Sequence, residues 1–101
     1  MAKISSIQKN MRRRGMAANK KASRAALKAV IYNKELSLEE RIKATMKLAQ
    51  KPRNSSETRV RNRCELTGRS RGFYRQFHLS RIALRELGNQ GMIPGLTKSS
   101  W

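Results

Sequence analysis

The sequence predicts a mainly α-helical chain: a long N-terminal helix continuing into a helical hairpin, an Arg-rich extended loop and a small C-terminal helical module. Three observations carry this expectation. No proline precedes Pro52, and the stretch from Ile4 to Tyr32 is rich in Ala, Lys and Arg, all strong helix formers. Asn54, Ser55, Ser56, Gly68, Ser70 and Gly72 then interrupt helical periodicity. Beyond them, Ser80 and Gly91 bracket a third, short amphipathic run.

The first element reads as one long helix, continuous or broken once at Gly15. Ile4, Ile7, Met11, Ala18, Ala22, Ala25 and Ala29 recur at three- and four-residue steps, a narrow stripe of mostly small side chains flanked by cations. Ser37-Leu38-Glu39-Glu40 has the form of a capping box, in which the Ser37 hydroxyl and the Glu40 carboxylate reciprocally satisfy backbone amides. It opens a second helix through Leu38, Ile42, Met46 and Ala49, which stops before Pro52 because proline disfavours a helical residue ahead of it. Leu27, Val30 and Ile31 are the expected packing partners of that helix, and the short link from Asn33 to Leu36 makes the hairpin. Ser80 is a natural N-cap for a third helix from Arg81 to about Gln90, with Gly91 as its stop. Leu79, Ile82, Ala83, Leu84 and Leu87 give it an apolar face, onto which Phe73 and Phe77, read as one helical turn apart, are expected to pack. Two regions follow: 1–52, a basic helical extension, and 53–101, an Arg-rich module with a C-terminal tail.

Charge decides the class of partner. The chain has 101 residues, 24 Lys and Arg against 6 acids, and a formal net charge of +18. So short and cationic a chain repels itself and calls for a polyanion. With 38% apolar residues and few aromatics it can bury only a modest core, so its folding is expected to depend partly on that partner. No apolar run approaches the roughly 20 residues that span a bilayer. A membrane-active helix needs bulky apolar side chains where this stripe has alanines, which sets a membrane surface behind nucleic acid. The first 34 residues contain no acid, a pattern shared with mitochondrial transit peptides, so an organellar address stays open beside the cytoplasm. A nucleoid-type DNA-binding protein is the other rival, but neither a dimerising symmetry nor a base-reading helix is evident.

The two halves hold different cations. Up to Lys51 there are nine Lys and five Arg; from Pro52 onward there are nine Arg and one Lys. Arginine presents a planar fork that meets phosphate oxygens in pairs and stacks on bases, whereas lysine is a hydrated point charge. Arg59, Arg61 and Arg63 alternate with Val60 and Asn62, and Arg69, Arg71 and Arg75 follow through two glycines, an arrangement suited to a folded phosphate backbone. Tyr74 suits either stacking on a base or packing. Nothing points to catalysis: His78 has no local carboxylate or thiol partner, Cys64 lacks a nearby base, and the six glutamates form no metal-binding cluster. No cofactor and no small-molecule substrate are expected.

The C-terminal half carries a more specific signal. Arg61-Asn62-Arg63-Cys64, Thr67-Gly68-Arg69, Gly72-Phe73, Arg75, Phe77, Leu79-Ser80-Arg81 and the ending Ile93-Pro94-Gly95-Leu96 through Lys98 to Ser100-Trp101 closely resemble the small-subunit ribosomal protein S-fourteen family. The resemblance is strong over Arg59 to Trp101 and looser before it, where the length, the Met1-Ala2-Lys3 start and the basic first helix look like the long bacterial or organellar form. In the short form, two Cys-x-x-Cys pairs hold zinc. The corresponding positions here are Cys64, Thr67, Ser80 and Ala83, so three ligands are missing and the resemblance implies a zinc-ribbon-type module without the metal. Ser70 stands where family members commonly have proline.

The resemblance further implies a structural protein of the head of the small subunit. It would bind small-subunit ribosomal RNA, assist assembly, set RNA conformation near the aminoacyl-tRNA site and contact ribosomal proteins S-three and S-ten. Residues expected at the RNA are Arg53, Arg59, Arg61, Asn62, Arg63, Arg69, Arg71, Arg75, Arg81, Arg85, Lys98 and Trp101. Arg12, Arg13, Lys20 and Lys21 of the first helix join them.

Overall fold

The computed structural model describes residues 2–100; Trp101 lies outside them. Three α-helices, α1 (Ile4–Tyr32), α2 (Leu38–Ala49) and α3 (Arg81–Asn89), account for most of the regular structure. A two-stranded antiparallel ribbon, β1 (Phe73–Tyr74) with β2 (Leu79–Ser80), precedes α3 and pairs Phe73 with Ser80 and Tyr74 with Leu79. Two 3-10 turns, Arg53–Ser55 and Glu57–Arg59, occupy part of the stretch expected to be irregular. The described residues form two compact units, Lys9–Val60 and residues 2–8 together with residues 61–100.

In the Lys9–Val60 unit, α1 runs unbroken through Gly15. The alanine stripe is its open side: Met11, Ala18, Ala22, Ala25 and Ala29 are exposed, whereas Ala17 is buried and Arg24, Leu27 and Ile31 are half-buried. Long cationic side chains tie this unit together. Arg24 Nη1 donates to the buried Ser55 hydroxyl at 3.2 Å, Arg41 Nε donates to the Ile31 carbonyl at 2.9 Å, and Lys51 Nζ reaches Ser23 Oγ.

Two expectations for α2 need correction. Ser37 is the N-cap in extended backbone, but its side chain makes no capping bond, so the capping box does not close. Glu39 and Glu40 still place negative charge in the first turn, where the helix dipole favours it. The face expected to pack on α1 is also rotated outward, leaving Leu38 69%, Ile42 46% and Met46 61% exposed. Ala44 is buried in their place, because the Arg41 bond to Ile31 turns the side carrying Arg41, Ala44 and Leu48 inward.

The other unit is built from tight turns. Ser80 caps α3, its hydroxyl accepting from the Ala83 amide at 3.3 Å. Gly91, at φ 70°, stands just past the C-cap residue Gln90. Phe73 and Phe77 are not successive turns of a helix: Phe73 lies in β1 and Phe77 in the turn beyond it. The Phe73 ring meets His78 edge-on at 6.0 Å, and His78 itself adopts a left-handed φ of 54° to return the chain into β2. Among the described residues only Ala17, Ala44, Cys64 and Ala83 are buried apolar side chains, which suits a chain that gains order from a partner.

Candidate nucleic-acid interface

The Arg-rich loop is organised around Cys64. Its amide donates to the Arg69 carbonyl at 2.9 Å, the Gly68 amide returns to the Cys64 carbonyl at 2.8 Å, and the Glu65 amide joins the turn to His78 at 3.1 Å. Gly68 is required twice over: its φ is +74°, and a Cβ there would lie 2.5 Å from Ile7 Cδ1. Burial pushes the Cys64 thiol up, but the Thr67 hydroxyl and the backbone N–H groups of Thr67, Ser80 and Leu66 favour the thiolate more, and its pKa settles at about 6.

The four positions aligned with zinc ligands do lie in this module. Cys64, Ser80 and Ala83 are buried and Thr67 is half-buried. They do not fit the metal, since one thiolate, two hydroxyls and a methyl group are not a tetrahedral donor set. Hydrogen bonds join the positions instead: Thr67 to the Cys64 sulfur, the Ala83 amide to Ser80, and the Ser80 backbone to Cys64. No group of three or more His, Cys, Asp or Glu side chains suited to a metal occurs among the described residues.

Arginines fasten to the same turn. Arg63 Nη1 donates to Gly68 O at 2.9 Å, Arg61 Nη2 to Ser70 O at 3.3 Å and Arg69 Nε to Arg71 O at 3.2 Å. A guanidinium has five donors, so the internal bonds of Arg63 and Arg69 fix their direction and leave other donors of each fork for an anion. Arg63, Arg69 and Arg71 converge on a cleft of about 570 Å³, shared with Ser6, Thr67 and Ser70. Arg63 Nε is buried without a hydrogen-bond partner.

The remaining expected contacts are dispersed. Arg81, Arg85 and Lys98 line a second groove beside Tyr74, and Arg53 and Arg59 line a hollow with Arg24 and Lys51 in the other unit. Asn62 and Arg75 are exposed but line none of these hollows, and Arg12, Arg13 and Lys20 are spread along α1. Lys21 shares a further hollow with Arg24 and Lys28. The participation of Ala2 and Ser6 in the arginine cleft had no signal in the sequence, because some sixty residues separate them from the loop they cover. Arg24 reads in the sequence as one cation among many on α1, and only its bond to Ser55 sets it apart.

The family model described as Ribosomal protein S14p/S29e matches residues 47–100. Over 101 residues, the full length of both proteins, the chain is 62% identical to the Small ribosomal subunit protein uS14 of Sinorhizobium medicae (strain WSM419). Identity is 61% over the same full length to the protein of that name from Rhizobium meliloti (strain 1021) and to that from Azorhizobium caulinodans. The chain belongs to this ribosomal protein family. It is a structural constituent of the small ribosomal subunit and not an enzyme, with ribosomal RNA and ribosomal proteins as partners. No helix among the described residues is long and apolar enough to cross a membrane.

Proposed function

We propose that the chain binds small-subunit ribosomal RNA in the head of the particle, is needed for assembly of the subunit, and holds RNA conformation near the aminoacyl-tRNA site. The convergence of Arg63, Arg69 and Arg71 on one cleft carries this reading. Two of these guanidiniums are already oriented by bonds to the loop carbonyls, so little freedom is lost when phosphates dock. Residues 53–101 are the Arg-rich binding module and 1–52 the basic extension; a family match over residues 47–100 supports this division, whereas the compact units divide the chain after Gln8 and after Val60. The extension supplies cations for phosphates at Arg12, Arg13, Lys20 and Lys21. Ribosomal proteins S-three and S-ten are its protein neighbours, for which the exposed Leu38, Ile42 and Met46 of α2 offer an apolar surface. The bacterial sources of the relatives favour the cytoplasm over an organelle.

The mechanism is neutralisation and positioning. Cations replace condensed counterions where RNA segments converge, and the ribbon with α3 fixes the direction in which the arginines point. The test is sedimentation of a tagged chain from cell lysate through a high-salt sucrose gradient, with small-subunit RNA probed in each fraction. Comigration with the small subunit is expected, and a free or DNA-associated chain would overturn the reading. Replacing Arg63, Arg69 and Arg71 together by Ala is expected to flatten the dependence of log affinity on log salt by about two to three units. An unchanged slope would show that these groups do not meet phosphates.

A further inference from the structure

We propose that the groove between Tyr74 and the C-terminal tail seats one unpaired base of the ribosomal RNA, stacked on the Tyr74 ring. The inference rests on the reading that this chain binds ribosomal RNA, and adds a base-contacting groove that adjoins the arginine cleft, the two sharing Ile82 and Glu86. The groove has a volume of about 660 Å³, within the roughly 300–1,000 Å³ of sites for small organic ligands. A path that only followed phosphates would need no such concavity.

Three elements build it. Tyr74 pairs with Leu79 in the ribbon and leaves half of its own surface exposed, so the side chain is accessible to a stacking base. Helix α3 begins directly after β2 and brings Arg81 and Arg85, four residues apart and so on one face, to the same groove. The tail forms the other wall. Leu96 lies so close to α3 that a Cβ at Gly88 would come within 2.8 Å of Leu96 Cδ2, and Lys98 follows on the groove side.

The chemistry of the lining selects the ligand. An aromatic face flanked by Arg81, Arg85 and Lys98 is suited to a nucleotide, with the base on the ring and its neighbouring phosphates on the cations. Glu86 and Asn89 also line the groove. The Glu86 carboxylate only accepts hydrogen bonds, so it favours a base bearing an exocyclic amine, while the Asn89 amide can both accept and donate.

The experiment uses the full chain bound to small-subunit particles reconstituted without it. Base-specific chemical probes read unpaired adenine, cytosine, guanine and uracil, and hydroxyl-radical cleavage reads the backbone. The wild-type chain and Tyr74→Phe are expected to protect one amine-bearing base outside the RNA helices. Tyr74→Leu retains bulk and apolar contact but has no π face. It is expected to leave that base reactive, preserve backbone protection at the arginine cleft and bind about ten-fold more weakly. Gly88→Ala, which displaces Leu96, is expected to expose the same base. Identical base protection by Tyr74→Leu and wild type, or protection of backbone alone by wild type, would overturn the proposal. Failure of the ribosomal reading is distinct, because the wild-type chain would then not bind the particle at all.

Discussion

The two units solve opposite problems. Between Lys9 and Val60 the backbone is two regular helices and two short 3-10 turns, and cohesion comes from the far ends of long side chains, as in Arg24 to Ser55 and Arg41 to Ile31. In the unit that includes the chain from Arg61 onward, cohesion comes from backbone held close to backbone, with Cys64, Ser80 and Ala83 buried at the turns. Every described residue with positive φ, namely Gly68, Gly72, His78, Gly91 and Gly95, lies in this second unit. Helix propensity therefore shapes the first region and steric permission the second. An added methyl meets open space at Gly15 in the first, whereas at Gly68, Gly72 and Gly88 in the second it meets a neighbouring side chain.

Glycine tests that contrast with the largest expected effect. Gly68→Ala forces an L-residue to φ +74° and drives a methyl group onto Ile7, a combined cost of about 3 kcal/mol. Gly15 has nothing within 4 Å of the position a Cβ would take and sits in helical backbone, so Gly15→Ala is expected to stabilise α1 by up to about 1 kcal/mol. Hydrogen exchange at the Cys64 and Glu65 amides reads the first substitution and helical circular dichroism the second. The contrast breaks if both substitutions act with the same sign.

The sulfur of Cys64 sharpens the comparison through pH. Its pKa is about 6 in the fold against 9.0 for a free thiol. Below pH 6 both folded and unfolded chains hold the proton, and the thiolate contributes nothing. Between pH 6 and 9 the unfolded chain binds the proton and the folded chain does not, so the stability of this unit rises with pH and levels off above 9. Cys64→Ser is expected to flatten the rise, whereas exchange at amides of α2, in the other unit, shows no such step. A profile unchanged by Cys64→Ser would show that the sulfur is not held as a thiolate.

How much was legible in the sequence follows the same division. The bounds of α1 and α2 and the cap of α3 follow from propensity, proline and short-range capping, which act within a few residues. What escaped prediction depends on contacts across the chain. The open alanine stripe and outward Leu38, Ile42 and Met46 reflect bonds such as Arg41 to Ile31, which no hydrophobic periodicity encodes. The ribbon pairs only two residues per strand, too few for an alternating pattern, so Phe73 and Phe77 read as helical neighbours. Of the candidate site, the residue types were legible and the grouping was not. Arg63, Arg69 and Arg71 share a cleft because a turn folds under them, while Asn62 just before them and Arg75 just after do not line it.

The smallest expected effect compares two serines at the same position of two helices. Ser37 and Ser80 are both N-caps in extended backbone, and sequence rules score them alike. Only Ser80 accepts from its helix, at the Ala83 amide, and it does so with no exposed surface, where the amide cannot turn to water. Ser80→Ala is therefore expected to cost about 1 kcal/mol and to raise hydrogen exchange in the first turn of α3. Ser37 is exposed and makes no capping bond, so its hydroxyl can be lost with the amides of α2 still open to solvent. Ser37→Ala should stay within about 0.5 kcal/mol of wild type. Equal losses from the two substitutions would mean that the capping box at Ser37 closes in solution, and that α2 is held locally as tightly as α3.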